Sequence, residues 1–140
     1  MGTESYPRPM LTVDVVVIAR SGPSVLLVQR GNEPFAGRWA LPGGFVEEYE
    51  PVDEAAPREL HEETGLRLSE LELLGVYDTP GRDPRGWTVS AAFLSHVSEP
   101  ALVSGADDAR DARWFDADAL PELAFDHARI VADALARKAD

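Results

Sequence analysis

Short runs of apolar, β-branched residues alternate with turn-forming segments along the chain, and each run predicts a β-strand. Residues 12–20 are dense in valine and predict a buried strand, which residues 25–30 follow after a Ser-Gly-Pro turn. Similar runs predict further strands at residues 39–41, 71–79, 87–97 and 112–115. The chain is therefore expected to form a sheet of several strands.

Two other segments show the spacing of helices. Residues 52–64 predict a helix, since Asp53 and Glu54 suit its first turn and Gly65 suits its C-terminal stop. Residues 126–138 predict an amphipathic terminal helix, with apolar positions at Ile130, Val131, Ala134 and Leu135. Strands interleaved with helices predict an α/β or α+β fold, in which helices pack on a mixed sheet.

Length and charge limit the classes of protein to which the chain can belong. Its 140 residues predict a single domain over residues 1–140, without repeats or linkers. The net charge of −12 argues against binding nucleic acid or an anionic membrane, although a metal ion would still permit a phosphate substrate. The sequence has no cysteine, no signal-peptide core and no apolar run of membrane length, so we predict a cytoplasmic location.

The helix predicted over residues 52–64 carries three glutamates that crowd one face. Glu59, Glu62 and Glu63 fall within a sector about 100° wide, and like charges at this spacing destabilise a helix. Arg58 offsets part of this repulsion, and a hard cation such as Mg²⁺ would offset far more. The alternative is a solvated acidic face that binds nothing.

The spacing around the glutamates favours a functional site over a solvated face. Gly44 is followed after five residues by Glu50, and after seven more by the pattern REL-x-EE-x-GL at residues 58–66. All nine defined positions resemble the signature of the Nudix hydrolases, and so long a pattern is very unlikely to match by chance. The resemblance implies a Nudix-type α/β/α sandwich with a mixed central sheet, the Nudix loop and helix, and a C-terminal helix.

The same resemblance implies a reaction and assigns roles to residues. Nudix hydrolases use Mg²⁺ or Mn²⁺ to cleave a nucleoside diphosphate linked to another group, as water attacks one phosphorus of the P–O–P bond. Positions that match the family's metal-binding residues are Gly44 (through its carbonyl), Glu59, Glu62 and Glu63. Positions that match its catalytic and orienting residues are Glu50, Arg58, Glu62 and Glu63. Metal-bound water needs a carboxylate to accept its proton, and Glu62 and Glu63 remain alternatives for that base.

One residue inside the signature departs from ordinary helix chemistry. Pro57 has no N–H to bond the carbonyl of Asp53, which costs roughly 3 kcal/mol in a helix interior. Proline is favoured at the first position of a helix, so the regular helix could instead begin at Pro57. We therefore predict a kink or break near residues 55–56, with the geometry of the glutamates preserved.

Three stretches outside the signature narrow the substrate. RGNEPFAGRWALPGGFVE, PGRDPRGWTVS and AFDHARIVADAL resemble a branch of the family that includes ADP-ribose pyrophosphatases and their regulatory relatives. The predicted substrate-binding residues are Arg30, Arg82, Arg85, Trp87 and Asp108. Guanidinium groups bind phosphate bidentately. The alternative is that Arg82 and Arg85 pair with nearby aspartates, Asp78 and Asp83, at the surface.

Aromatic and histidine residues give weaker signals. Trp87, Phe35 and Tyr6 are candidates to stack on a base, whereas Trp39 beside the Pro-Gly-Gly turn is expected in the core. His127 opens the terminal helix and is predicted to be structural or close to the substrate.

Three functions remain as hypotheses, in order of preference. The first is hydrolysis of ADP-ribose or a related nucleotide sugar or dinucleotide to AMP and a phosphorylated product. The second is pyrophosphohydrolysis of a nucleoside triphosphate of the 8-oxo-dGTP type. The third is an ADP-ribose sensor without turnover, which the intact signature disfavours. The resemblance also implies a homodimer.

Overall fold

The computed structural model of the protein describes residues 5–137. In chain order, its elements are β1 (Met10–Ala19), β2 (Ser24–Arg30), β3 (Trp39–Ala40), β4 (Gly43–Phe45), α1 (Val52–Thr64), β5 (Glu72–Tyr77), β6 (Thr88–Val97), β7 (Ala109–Asp116) and α2 (His127–Ala136). Across this described range, neither helix is long and apolar enough to cross a membrane.

Strand β1 is the centre of the sheet because three other strands pair with it. It is antiparallel to β2 and β4 and parallel to β6, with Met10 opposite Thr88 and Ala19 opposite Val97. The path β3-β2-β1-β6-β5 is completed by β4 on β1 and by β7 on β2. The parallel pair within an otherwise antiparallel sheet confirms the mixed sheet predicted from the sequence.

The sheet lies between the two helices, and β1 is buried on both faces. Its odd-numbered valines pack in one apolar cluster with Leu60 of α1, whereas Val16 and Ile18 pack in another with Ile130 of α2. Burial on both faces explains why the β1 sequence is almost continuously apolar. The resulting α/β/α layers confirm the predicted fold class.

Most predicted elements are present, and the differences concern short or extended strands. Strand β4 was predicted as a turn, because a strand of Gly43–Phe45 offers few side chains that mark it as one. Strand β7 begins at Ala109, three residues before the apolar run at residue 112, because Ala109 pairs with Arg30 of β2. Pairing with a neighbour extends a strand beyond the part that its own composition predicts.

The predicted break at residues 55–56 is wrong, since α1 is one helix with Pro57 inside it. The N–H of Ala55 donates to the carbonyl of Pro51 over 3.0 Å, so the first turn forms before the proline. The carbonyl that Pro57 leaves without a partner belongs to exposed Asp53, where water can replace the lost bond. At the other end, Gly65 adopts φ 78° and ends the helix as predicted.

Candidate active site

An open cavity of about 450 Å³ lies where α1, the loop before β6 and the start of α2 meet the central strand. Its acidic lining residues include Glu59, Glu62, Glu63 and Asp108. Its basic lining residues are Arg30, Arg58, Arg82 and Arg85. The fold thus brings the predicted metal-binding residues and three predicted substrate-binding arginines to one place.

The three glutamates of α1 form a wall of this cavity. Glu63 is only 8% exposed, and the side chains of Glu59 and Glu62 are 14% and 39% exposed. Glu59 and Glu63 are therefore largely withdrawn from water, which argues against a fully solvated acidic face, whereas Glu62 keeps access to solvent. Carboxylates are rarely withdrawn from water unless a partner compensates them, so the partners of this wall are central to its chemistry.

Arg58 compensates the wall from within the signature. Its Nε and Nη2 donate to both oxygens of Glu50 over 2.7 and 2.8 Å, which joins the loop before α1 to the helix. Its Nη1 donates to Glu59 and Glu62 over 2.9 and 2.8 Å. The hydrogen bond from Arg58 lowers the pKa of Glu50 to about 2, so this carboxylate stays charged and keeps both hydrogen bonds to Arg58.

Glu63 has a different partner and a different electrostatic state. Its Oε1 accepts the N–H of Gly43 over 2.8 Å. Burial, helped by the charges of Glu59 and Asp108, raises the pKa of Glu63 to about 8. Burial also raises the pKa of Glu59, with Glu62 and Asp108 adding to the shift and Arg58 opposing it. The cavity therefore holds more negative charge than its own arginines neutralise.

Two glycines allow the turn before α1 to approach these groups. A Cβ on Gly44 would lie 2.5 Å from Oε2 of Glu59, and a Cβ on Gly43 would overlap the carbonyl oxygen of Val13. Neither position tolerates a side chain without moving its neighbours. This close approach gives a physical reason for the Gly-Gly pair that precedes the acidic helix.

The chemistry of this donor set fits a hard divalent cation. Mg²⁺ and similar ions prefer carboxylate oxygens. The pKa values of Glu59 and Glu63 are raised mainly by burial and further by neighbouring carboxylates, and a cation would favour the charged form of both side chains. Within residues 5–137, no three acidic or imidazole groups already converge as a metal-binding set. Arg58 bonds Glu59 and Glu62, and Gly43 bonds Glu63, so an ion bound by these oxygens would compete with those hydrogen bonds.

A second wall of the cavity combines arginine with phenylalanine. Two guanidinium groups lie near the centre of the Phe125 ring, that of Arg30 at 4.9 Å and that of Arg85 at 5.5 Å. Arg85 also lies 4.9 Å from the Phe45 ring, and Phe35 meets Phe125 edge-on at 4.8 Å. Burial, followed by the nearby Arg85 charge, lowers the pKa of Arg30. This wall offers positive charge beside aromatic faces, which suits a nucleotide.

The two arginines of the DPRG loop have different partners. Arg85 pairs with Asp83 over 2.8 Å, as the surface alternative predicted, but it still lines the cavity. Arg82 pairs with Asp126 rather than with Asp78, through two bonds of 2.8 and 2.6 Å. Its side chain is only 4% exposed, so Arg82 borders the cavity while its guanidinium group is used to join the loop to α2.

Sequence reasoning missed a buried network centred on Asp14. This carboxylate accepts a bond of 2.6 Å from Ser90 and lies 3.2 Å from Nε2 of His127 and 3.8 Å from Arg82. Burial alone would raise the pKa of Asp14, but these partners hold it below its usual value. The available signal was a single aspartate within an apolar strand, a position where an unpaired charge is costly.

The remaining candidates are divided between the cavity and the surface. Asp108 lines the cavity and accepts a bond of 3.2 Å from Asn32. Trp87 is 53% exposed and is not among the lining residues described. It lies immediately before β6, where its carbonyl accepts the N–H of Met10. Trp39 packs against the core and meets Phe115 edge-on, as expected.

Comparisons with known proteins agree with this geometry. Residues 8–134 match the family model of the NUDIX domain. The chain is 48% identical over 128 residues to an ADP-ribose pyrophosphatase of Methanocaldococcus jannaschii, covering 91% of this chain and 74% of the relative. It is 35% identical to the ADPR responsive transcriptional repressor NtrR of Acinetobacter baylyi, covering 94% of this chain but only 55% of the repressor.

A solved structure shows the same fold with a ligand. The NUDIX domain of Shewanella oneidensis NrtR, crystallised with ADP ribose, superposes with a TM-score of 0.87 at 33% identity, covering 96% of this chain and 92% of that domain. The chain therefore belongs to the Nudix family. It is a Nudix pyrophosphohydrolase, and enzymes of this class generally depend on a divalent metal ion.

Proposed function

We propose that the protein hydrolyses the pyrophosphate bond of ADP-ribose, or of a related nucleotide sugar or dinucleotide, to AMP and a phosphorylated product. The observation that carries the proposal is that a carboxylate wall and an arginine–phenylalanine wall face one cavity. The carboxylate wall suits a metal-bound diphosphate, and the arginine–phenylalanine wall suits the groups attached to that diphosphate. The ADP-ribose pyrophosphatase relative and the ADP-ribose complex of the NrtR domain support this choice of substrate.

The carboxylate wall supplies the residues that would hold Mg²⁺ or Mn²⁺. These residues are Glu59, Glu62 and Glu63, together with the carbonyl of Gly44. When bound, such an ion neutralises phosphate charge and lowers the pKa of water. A carboxylate then accepts the proton of the attacking water while a new P–O bond forms. The bond from that phosphorus to the bridging oxygen breaks, and the oxygen leaves with the second phosphate.

Among the two alternatives for the base, the geometry favours Glu63. It is more buried than Glu62, and burial raises its pKa, so its carboxylate is a stronger proton acceptor than an ordinary exposed glutamate. Gly43 fixes one of its oxygens, whereas Glu62 bonds Arg58. We assign proton transfer to Glu63 and assign metal binding mainly to Glu59 and Glu62.

The second wall is assigned to substrate binding. Arg30 and Arg85 approach the Phe125 ring from different positions, so a diphosphate and a flat base can be bound side by side. Arg82 contributes indirectly, because its fork to Asp126 holds the DPRG loop against α2. Asp108 adds negative charge next to Glu59 and Glu63 and suits an additional metal ligand.

The test is a product analysis with purified protein and Mg²⁺. ADP-ribose, NADH, diadenosine polyphosphates, 8-oxo-dGTP and dGTP are incubated separately, and products are identified by chromatography. AMP and ribose 5-phosphate from ADP-ribose, formed faster than any other product, is the expected result. Pyrophosphate released from a triphosphate at a higher rate would instead support the triphosphate hypothesis. Tight ADP-ribose binding without turnover would support the sensor hypothesis.

We also propose a homodimer in the cytoplasm. The edge strand β5 exposes Leu73 and Val76 by 52% and 58%, and exposed apolar groups on an edge strand favour association. Light scattering during size-exclusion chromatography tests the oligomeric state. A monomer at micromolar concentration would contradict the dimer.

A further inference from the structure

A chain of hydrogen bonds at the edge of the cavity links the start of α2 to the turn at residues 41–43, which leads into β4. We propose that His127 is a positioning residue for hydrolysis, which holds the turn so that the N–H of Gly43 meets the carboxylate of Glu63. This inference rests on the proposed function, since it explains how the assigned base is oriented.

Each ring nitrogen of His127 has one polar partner, Nδ1 the N–H of Leu41 and Nε2 the carboxylate of Asp14. Its Nδ1 accepts the N–H of Leu41 over 2.9 Å, which places the ring proton on Nε2. That nitrogen lies 3.2 Å from Oδ1 of Asp14. Asp14 thereby fixes the tautomer and the ring orientation, and His127 presents a fixed acceptor to the turn.

The turn has little freedom to move without moving Glu63. Pro42 accepts the N–H of Val15 over 2.8 Å, and Gly43 donates to Glu63 over 2.8 Å. A Cβ on Gly43 would lie 2.9 Å from Oδ1 of Asp14, so the backbone is pressed against the network. Releasing Leu41 from His127 therefore shifts the donor that orients Glu63.

The position of His127 is itself secured by a second pair. Asp126, the residue before it, forms a bidentate bond with Arg82 of 2.8 and 2.6 Å and makes no side-chain cap to α2. Burying such charges is costly, and apolar residues often fill such space at lower cost. A network that only filled space would not need charged groups. We infer that these groups are present because their directional hydrogen bonds fix the orientation of His127.

Two substitutions each remove one bond of His127 and keep the other. In His127→Asn, the amide oxygen replaces Nδ1 as acceptor for Leu41, but the contact with Asp14 is lost. In His127→Gln, the amide nitrogen replaces Nε2 as donor to Asp14, but Leu41 loses its acceptor. Each variant is measured for kcat and KM with ADP-ribose and Mg²⁺, for Tm, and for hydrogen exchange of the Leu41 and Gly43 amides without metal.

We expect His127→Gln to lower kcat by roughly tenfold with KM within twofold, the size of effect seen when groups that orient metal ligands are lost. His127→Asn should lower kcat less at a similar loss of Tm, and only His127→Gln should speed exchange at Gly43. Equal losses of kcat in the two variants, or losses that follow Tm, would overturn the proposal. The exchange result tests the anchor even if ADP-ribose is not the substrate, because it needs no turnover.

If His127→Gln does not fold, Asp126→Asn tests the same arrangement. It weakens the pairing with Arg82 that secures the position of His127, so the bond from Leu41 to His127 should loosen although the His127 ring itself is unchanged. A lower kcat with faster exchange at Gly43 is expected. Unchanged kcat and unchanged exchange would contradict the positioning role.

Discussion

The carboxylate wall of the cavity and the buried network centred on Asp14 differ in how far apart their members lie along the chain. Arg58 bonds partners between 1 and 13 positions away. The contacts of Asp14, Arg82 and His127 join residues between 44 positions (Arg82 and Asp126) and 113 positions (Asp14 and His127) apart. A helix and the loop before it set the first arrangement locally, whereas only the sheet brings the second together.

The two regions also differ in what their charges do. The carboxylate wall is open to the cavity and holds excess negative charge, so it is suited to bind a cation and react. The network of Asp14, Arg82 and His127 borders the same cavity, but it is buried and its charges are paired within the protein. We have proposed that the carboxylate wall performs the chemistry and that the network holds it in place, and the following experiments test this division.

The largest effect is expected from Glu63→Gln. Loss of a general base lowers kcat by roughly 10²–10⁴-fold, while binding of Mn²⁺, measured by calorimetry, should change far less than in Glu59→Gln. Glu54→Gln is the matched control, because Glu54 lies on the same helix and is exposed. If Glu63→Gln keeps most of its kcat, the base lies elsewhere, and Glu62→Gln becomes the decisive variant.

A smaller effect is expected from Gly44→Ala. Its Cβ would lie 2.5 Å from Oε2 of Glu59, so that carboxylate must move and metal affinity should fall by roughly 10–100-fold. Gly75→Ala in β5 is the control, since its Cβ would meet only ordinary contacts at 3.7 Å or more. Equal metal affinity in Gly44→Ala and the parent protein would show that Glu59 is not a ligand.

A still smaller effect is expected from Arg85→Gln. A hydrogen bond to a charged group contributes about 1.5–3 kcal/mol, so KM for ADP-ribose should rise by roughly tenfold or more with kcat changed less. Arg113→Gln is a close control, because Arg113 also pairs with an aspartate two positions earlier and lies over an aromatic ring. A similar KM in the two variants would remove Arg85 from the substrate site.

The smallest effect is a pH dependence of stability in the metal-free protein. Burial raises the pKa of Glu63 from 4.5 to about 8, so its contribution is fully present below pH 4.5 and is lost as the pH rises through 8. In EDTA, Tm should rise by several degrees between about pH 8 and pH 5. Glu50 acts in the opposite direction, but only as the pH falls from 4.5 toward its pKa of about 2.

The contribution of Glu63 to the pH dependence of Tm is obtained by comparing the parent protein with Glu63→Gln. Glu63→Gln should lack the part of the slope that comes from Glu63, and excess Mg²⁺ should flatten the slope of the parent protein by stabilising the charged carboxylate. Parallel slopes for the two proteins would mean that Glu63 titrates normally in the folded state.

Much of the fold was predictable because strands and helices carry their own periodicity. The bounds of α1, including Gly65 at its end, follow from local signals. Strand β4 and the start of β7 were not predictable, because pairing with β1 and β2 defines them. The predicted break near Pro57 was wrong because it assumed the full energetic cost of a proline in a helix interior. The carbonyl that Pro57 leaves unpaired belongs to Asp53, in the exposed first turn.

The sequence by itself determined the acidic face of α1, its Arg58 partner and membership in the Nudix class. These features depend on residues within one turn or one loop of each other, where spacing alone sets geometry. Only the tertiary structure decided that Arg82 pairs with Asp126, that Asp14 meets His127, and that Trp87 lies outside the cavity. Those contacts depend on the register of the parallel β1–β6 pair and on where α2 docks, because both bring distant segments together.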